Sequence, residues 1–159
     1  MNLHKFRKYK KMGKRIVLNE KAYHITFARN LGSIKMNGLV PMGGKNKNFE
    51  WCEDAVHLSS TKYGGLECMA MLYEDSKENG VDIKTGGLVL LEVDMGQLDT
   101  SKLTTGEAFE EWDNPSARVQ EWLYYGKIHP NNLKVVQIKT KFRDDNMNRI
   151  YKLGKYASK

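Results

Sequence analysis

The chain has few of the residues that mark disulfide-linked, zinc-binding or membrane proteins. Its two cysteines, Cys52 and Cys68, lack the spacing of zinc ligands, so we expect no metal site. No apolar run is long enough to span a bilayer, and the basic N-terminus lacks the apolar segment of a secretory signal. These absences predict a cytoplasmic protein with reduced cysteines and no membrane contact.

Several common catalytic motifs are also missing. The sequence contains no Walker-type phosphate loop, no GxGxxG turn and no HExxH zinc motif. The commonest nucleotide-binding and metalloprotease classes are therefore not expected. With 159 residues and 40% apolar content, the chain is long enough for one compact domain and short for two.

Positive charge is concentrated at the two ends of the chain. Residues 1–15 carry seven basic and no acidic side chains, and residues 133–159 carry eight basic and two acidic ones. The middle, 16–132, holds eleven basic and seventeen acidic residues, so a basic arm (1–15) and a basic tail (142–159) are predicted to flank one domain at 16–141. Aromatic residues among the terminal lysines favour nucleic-acid binding, because cations displace phosphate counterions and rings stack on bases. The alternative is that the charged ends only keep the protein soluble.

Apolar periodicity predicts an α+β fold in which strands dominate and two early helices cross them. Strands are predicted at 23–26, 55–59, 88–94, 119–125 and 133–141. Helices are predicted at 30–37 and 66–79. Residues 43–54 and 98–113 are predicted loops, the second with a helical turn near 107–112.

The segment 22–44 gathers a strand, a short helix and a glycine-rich turn around His24. Leu31, Ile34 and Met36 lie close to helical spacing, and Gly38 is predicted to end the helix. In an ordinary strand-helix unit, His24 would be a half-buried histidine with its hydrogen bonds satisfied.

The string HITFARNLGSIKMNGL at 24–39 resembles the first motif of the ADP-ribosyltransferases, most closely the DarT-type toxins. In that motif a histidine, a threonine two residues later and an asparagine six residues later precede a helix that ends in Gly-Leu. The matching residues here are His24, Thr26, Asn30, Gly38 and Leu39.

A second resemblance lies in the next segments. GLVPM at 38–42 and AVHLSS at 55–60 are similar to the RNA 2'-phosphotransferases, which belong to the same superfamily. The similarity extends over roughly 23–139. It implies an ADP-ribosyltransferase-like α+β fold, with a split, mainly antiparallel β-core and two early helices, and it implies NAD as a substrate.

The resemblance implies that Glu121 is catalytic together with His24. In the family, a glutamate on a late strand stabilises positive charge on the ribose while the nicotinamide bond breaks. Glu121 stands at an apolar strand start, where burying an unpaired acid would be costly. The alternative is a strand-edge glutamate that faces water or pairs with Arg118.

The resemblance also implies that the loop before Glu121 presents the acceptor, with Trp112 and Asn114 as contacts. Val119 stands where arginine-modifying relatives carry an acid or glutamine, so arginine is not the expected acceptor.

The same resemblance implies a cofactor wall on the first strand. His24 would bond a ribose hydroxyl of the adenosine half, the backbone of Ile25 would meet the nicotinamide amide, and Thr26 and Asn30 would complete the wall. Arg29 would contact a cofactor phosphate, or it is simply a charge on the helix surface.

Two further cofactor contacts are implied on the second strand. His57 lies where many relatives place a tyrosine that stacks on nicotinamide, and where the 2'-phosphotransferases place a histidine. Ser59 and Ser60 resemble the polar residues that follow there, or they are simple strand-end hydroxyls.

The expected function is mono-ADP-ribosyl transfer from NAD to a nucleic acid or to a protein bound to one, as in a bacterial toxin or a phage protein. One alternative is an RNA 2'-phosphotransferase-like enzyme. Another is a non-catalytic nucleic-acid-binding protein on the same scaffold. An unrelated α+β domain with a chance motif match is the fourth.

Overall fold

The computed structural model describes residues 20–41, 54–80, 87–107 and 119–139. These ranges form six strands and two α-helices. The strands are β1 (Lys21–Phe27), β2 (Val56–Ser59), β3 (Leu88–Asp94), β4 (Leu103–Thr105), β5 (Glu121–Tyr124) and β6 (Leu133–Lys139). The helices are α1 (Leu31–Asn37) and α2 (Lys62–Glu78). Short 3₁₀ helices span Ala28–Asn30, Met95–Gln97, Thr100–Lys102 and Pro130–Asn132.

The strands form one antiparallel sheet in the order β4-β5-β2-β1-β3-β6. β1 pairs with β3 along its whole length, from Lys21 opposite Asp94 to Phe27 opposite Leu88. On its other side, β1 is in register with β2 at a single pair, Tyr23 opposite Ser59. The sheet therefore consists of two three-stranded halves that meet at a short junction between β1 and β2. The predicted α+β class is confirmed.

Each face of the sheet has its own apolar cluster, because side chains alternate along a strand. One face packs against α1. Its fully buried members include Ala22, Val89, Trp122 and Ile128. The other face packs against α2. It includes Ile25, Leu66, Met69 and Leu90. β3 is buried on both faces, which explains its continuous apolar sequence.

α1 ends at Gly38, as predicted. Gly38 has a φ of +76° and its N–H donates to the carbonyl of Ile34, 2.8 Å away. A Cβ at this position would overlap the backbone carbonyl of Ile128. Only glycine permits both the left-handed conformation and this approach, which places Leu39 in an isolated bridge with Ile128.

The predicted element bounds are correct for β3 and within two residues for β2, β5 and β6, but two predictions are wrong. α2 begins at Lys62 instead of residue 66, because Thr61 caps it through a 3.0 Å bond from the Gly64 N–H to its Oγ1. The predicted loop at 98–113 contains β4, a three-residue strand that is formed by its pairing with β5.

The basic ends and the predicted loop at 43–54, except Asp54, lie outside the described residues. Within the described ranges, no helix has the length and apolar character needed to cross a membrane.

Candidate active site

His24 lies at the junction where the two halves of the sheet separate. Its Nδ1 is 2.8 Å from the backbone carbonyl oxygen of His57 on β2. One residue earlier on β1, Tyr23 is still in register with Ser59. The imidazole therefore supplies a hydrogen bond to β2 beside that single pair, which satisfies a part-buried backbone acceptor.

Burial sets the protonation state of the His24 imidazole, and the hydrogen bond to His57 sets its tautomer. Burial lowers the pKa of His24 to about 4; the bond to the His57 carbonyl opposes this shift, and the neighbouring His57 side chain adds to it. His24 is therefore neutral at pH 7. A carbonyl oxygen only accepts, so Nδ1 carries the proton and Nε2 retains a lone pair. The site thus offers a hydrogen-bond acceptor at Nε2, which suits a sugar hydroxyl.

Glu121 is the first residue of β5 and is buried, with 9% of its surface exposed. It lies opposite Ser59 in the β2–β5 ladder, and its carbonyl accepts the N–H of Gly106, 3.0 Å away. A Cβ at Gly106 would overlap the Glu121 carboxyl group. The absence of a side chain at Gly106 is what leaves room for this carboxylate. Sequence reasoning missed Gly106, because only the β4–β5 register reveals that it faces Glu121.

His57 and Glu121 share one face of the sheet. His57 and Ser59 point to the same side of β2, and Glu121 lies opposite Ser59, so the histidine and the glutamate are diagonal neighbours. The distance from His57 Nδ1 to Glu121 Oε2 is 3.5 Å. Their side chains are 24% and 11% exposed, so the pair is reachable from solvent yet mostly shielded.

The serines after His57 make structural contacts. Ser59 is buried and its Oγ lies 3.9 Å from Cys68 Sγ on α2. Ser60 Oγ accepts the N–H of Gln120, 2.8 Å away, and the Ser60 N–H donates back to the Gln120 carbonyl. This double contact fixes the residue immediately before Glu121, a positioning feature that the sequence did not reveal.

The other predicted residues of the first motif lie in different surroundings. Asn30 Nδ2 donates to Oγ1 of the buried Thr26, 3.2 Å away, so these two side chains are in contact. Ile25 is buried opposite Leu90. Arg29 is exposed and its guanidinium carbon lies 4.2 Å from the centroid of the Phe27 ring. The cofactor roles of these residues stay predictions.

The predicted acceptor contacts Trp112 and Asn114 lie outside the described residues. A separate cleft of about 420 Å³ lies at the other end of β1, where its wall includes Glu20, Glu92 and Asp94, and it contains none of the predicted site residues. In the described part of the chain, no group of three or more histidine, cysteine, aspartate or glutamate side chains is placed to hold a metal ion.

No protein-family model matches the chain, and no curated protein sequence matches it. The site must therefore be interpreted from its own chemistry. It combines a buried carboxylate, a neighbouring imidazole and a neutral histidine whose Nε2 can accept a hydrogen bond.

Proposed function

We propose that the protein is a mono-ADP-ribosyltransferase that cleaves NAD at the bond between nicotinamide and ribose. The observation that carries this proposal is the pairing of a buried carboxylate, Glu121, with His57, whose backbone carbonyl holds the neutral imidazole of His24. The short junction between β1 and β2 agrees with the split core that the resemblance implies.

The chemistry needs a negative charge in a shielded position. As the C1'–N bond breaks, nicotinamide leaves with the bonding electron pair and positive charge develops on the ribose. A carboxylate that is already positioned in a site of low polarity stabilises this charge without reorganisation of solvent. Glu121 meets both conditions, since it is 9% exposed and backed by Gly106. The acceptor then bonds to C1' and releases a proton.

His24 is suited to binding and orienting NAD. Its Nε2 accepts a hydrogen bond, so it would take one from a ribose hydroxyl and orient the cofactor. The pKa of about 4 keeps this acceptor available across the physiological pH range. Thr26, two residues later in β1, projects to the same side of the strand as His24, and its hydroxyl accepts a hydrogen bond from Asn30.

The nucleic-acid acceptor is the part of the proposal that depends on the ends of the chain. Across the described ranges, acidic side chains outnumber basic ones by eleven to nine. The net charge of +7 therefore comes from the rest of the sequence, chiefly the two basic ends. A polyanion would bind through these ends, and its affinity would fall steeply with salt.

The test is to incubate the protein with NAD, alone and with single-stranded DNA, RNA or a cell lysate. Nicotinamide release and labelled ADP-ribose transfer are measured for the wild type and Glu121→Gln. We expect release to fall by roughly 100-fold or more in Glu121→Gln. Glu74→Gln is the matched control, because it makes the same change at an exposed position of α2.

The same experiment separates the alternatives. Removal of a 2'-phosphate from RNA with NAD, without stable labelling, would favour the 2'-phosphotransferase function. Salt-dependent binding of nucleic acid without NAD binding in calorimetry would favour a non-catalytic protein. Equal release by the wild type and Glu121→Gln would refute the proposed transferase.

A further inference from the structure

We propose that His57 is a positioning residue, whose Nδ1–H holds the Glu121 carboxylate in place while its backbone carbonyl holds the imidazole of His24. The inference rests on the proposed function and adds a role that differs from stacking on nicotinamide. It follows from two contacts of one residue. His57 Nδ1 lies 3.5 Å from Glu121 Oε2, and the His57 carbonyl lies 2.8 Å from His24 Nδ1.

The contact with Glu121 has a defined direction. The carboxylate accepts, so His57 donates through Nδ1. At 3.5 Å this is a long hydrogen bond, as is common in sites without substrate, where such contacts shorten when the ligand binds. A ring that only stacked on a ligand would not need a nitrogen at this position.

The carboxylate is held from several sides. Gly106 lies next to the carboxylate, at a place where any side chain would overlap it, and the Gly106 N–H donates to the backbone carbonyl of Glu121. Ser60 fixes the preceding residue, Gln120, through two hydrogen bonds. Among these neighbours, His57 provides the hydrogen bond to the carboxylate oxygen itself. Removing that donor would leave the backbone of Glu121 in place and free its carboxylate to rotate.

Two substitutions distinguish positioning from stacking, because one keeps only the donor nitrogen of His57 and the other keeps only an aromatic ring. His57→Asn keeps a donor nitrogen one bond from Cγ, as Nδ1 is, and removes the ring. His57→Phe keeps a ring and removes the donor. Neither changes the backbone carbonyl that His24 contacts, so both should keep the same melting temperature within a few degrees.

Nicotinamide release gives the kinetic test. We expect His57→Phe to lower kcat by roughly 10- to 100-fold with little change in KM, because a hydrogen bond to a charged group is lost. His57→Asn should retain kcat within a few-fold. The reverse result, with normal kcat in His57→Phe and a raised KM in His57→Asn, would overturn positioning in favour of stacking.

A spectroscopic measurement tests the contact without using activity. The ¹⁵N resonance of His57 Nδ1 should move when Glu121→Gln removes the carboxylate, at constant pH. His129 is the internal control, because its Nδ1 instead accepts the N–H of Asn131, 3.2 Å away. An unchanged His57 resonance would overturn the inference even if the enzyme is active. A wild type that releases no nicotinamide would refute the proposed function and the kinetic role of His57, whatever the resonance does.

Discussion

The imidazole of His24 donates to the backbone carbonyl of His57 across a distance of 2.8 Å, beside the single registered pair of β1 and β2. This bond links the two halves of the sheet. It also links the two halves of the proposed site, since the His57 side chain contacts Glu121 on β5. His24 and the Glu121 carboxylate, which we propose bind the cofactor and stabilise the ribose charge, are thus connected through one residue.

Substitution of His24 should separate its structural role from its binding role. His24→Asn keeps a donor for the His57 carbonyl and removes the Nε2 acceptor, whereas His24→Ala removes both. We expect both variants to lose NAD binding in calorimetry. Only His24→Ala should lose about 1–3 kcal/mol in the free energy of unfolding, because it leaves a part-buried carbonyl unsatisfied. Wild-type NAD affinity in His24→Asn would contradict the binding role.

The free energy of unfolding should fall as the pH is lowered, because His24 has a lower pKa in the folded protein than in the unfolded chain. Its pKa is about 4 in the folded protein and about 6.5 in the unfolded chain, so the unfolded state binds more protons between these values. The stabilisation is present above pH 6.5 and is lost as the pH falls toward 4, by an amount on the order of 3 kcal/mol. Urea denaturation at a series of pH values measures it.

The control for this measurement is His24→Asn, which has no group that titrates at that position. Burial raises the pKa of Glu67, which gives a pH dependence of the opposite sign in the acidic range. The difference between the wild-type and His24→Asn profiles removes the contribution of Glu67. Parallel profiles would mean that His24 is not held neutral.

Gly106→Ala should impair catalysis more than stability. The added Cβ would overlap the Glu121 carboxyl group, which must move, and a displacement of about 1 Å can cost roughly 100-fold in rate. Nicotinamide release measures the effect. Gly32→Ala in α1 is the control, because its Cβ would meet no atom within 4 Å and alanine favours a helix. Equal activity in the two variants would show that the Glu121 carboxylate can move freely.

The parts of the fold that the sequence predicts are those with local signals. The apolar run of β3, the end of α1 at Gly38 and the strand that carries Glu121 follow from periodicity and turn chemistry. β4 could not be predicted, because three residues show no period and their pairing partner, β5, lies about 20 positions later. The early start of α2 was missed although Thr61 is a typical N-cap, because two glycines follow in the first turn.

The residues of the candidate site likewise separate into those that a local motif indicates and those that depend on strand pairing. The resemblance predicted Thr26, Asn30 and Glu121 as site residues, and in the structure they lie in β1, in the 3₁₀ helix that follows it and in β5. It did not identify Gly106 or the contact of His57 with the carboxylate. Both depend on register between strands that are distant in sequence, so neither pattern nor motif contains them.

The last prediction concerns the glycines that let α2 approach the sheet. A Cβ at Gly64 would lie 2.5 Å from Val119 Cγ1 and 3.2 Å from Ser59 Cβ, so Gly64→Ala should lower the free energy of unfolding by about 1–3 kcal/mol. Val119→Ala removes the closest atom. In that background Gly64→Ala should therefore cost less, with a coupling of roughly 0.5 kcal/mol or more in a double-mutant cycle. Additive losses would place the conflict at Ser59 instead, and α2 would then be tied directly to the strand that carries His57.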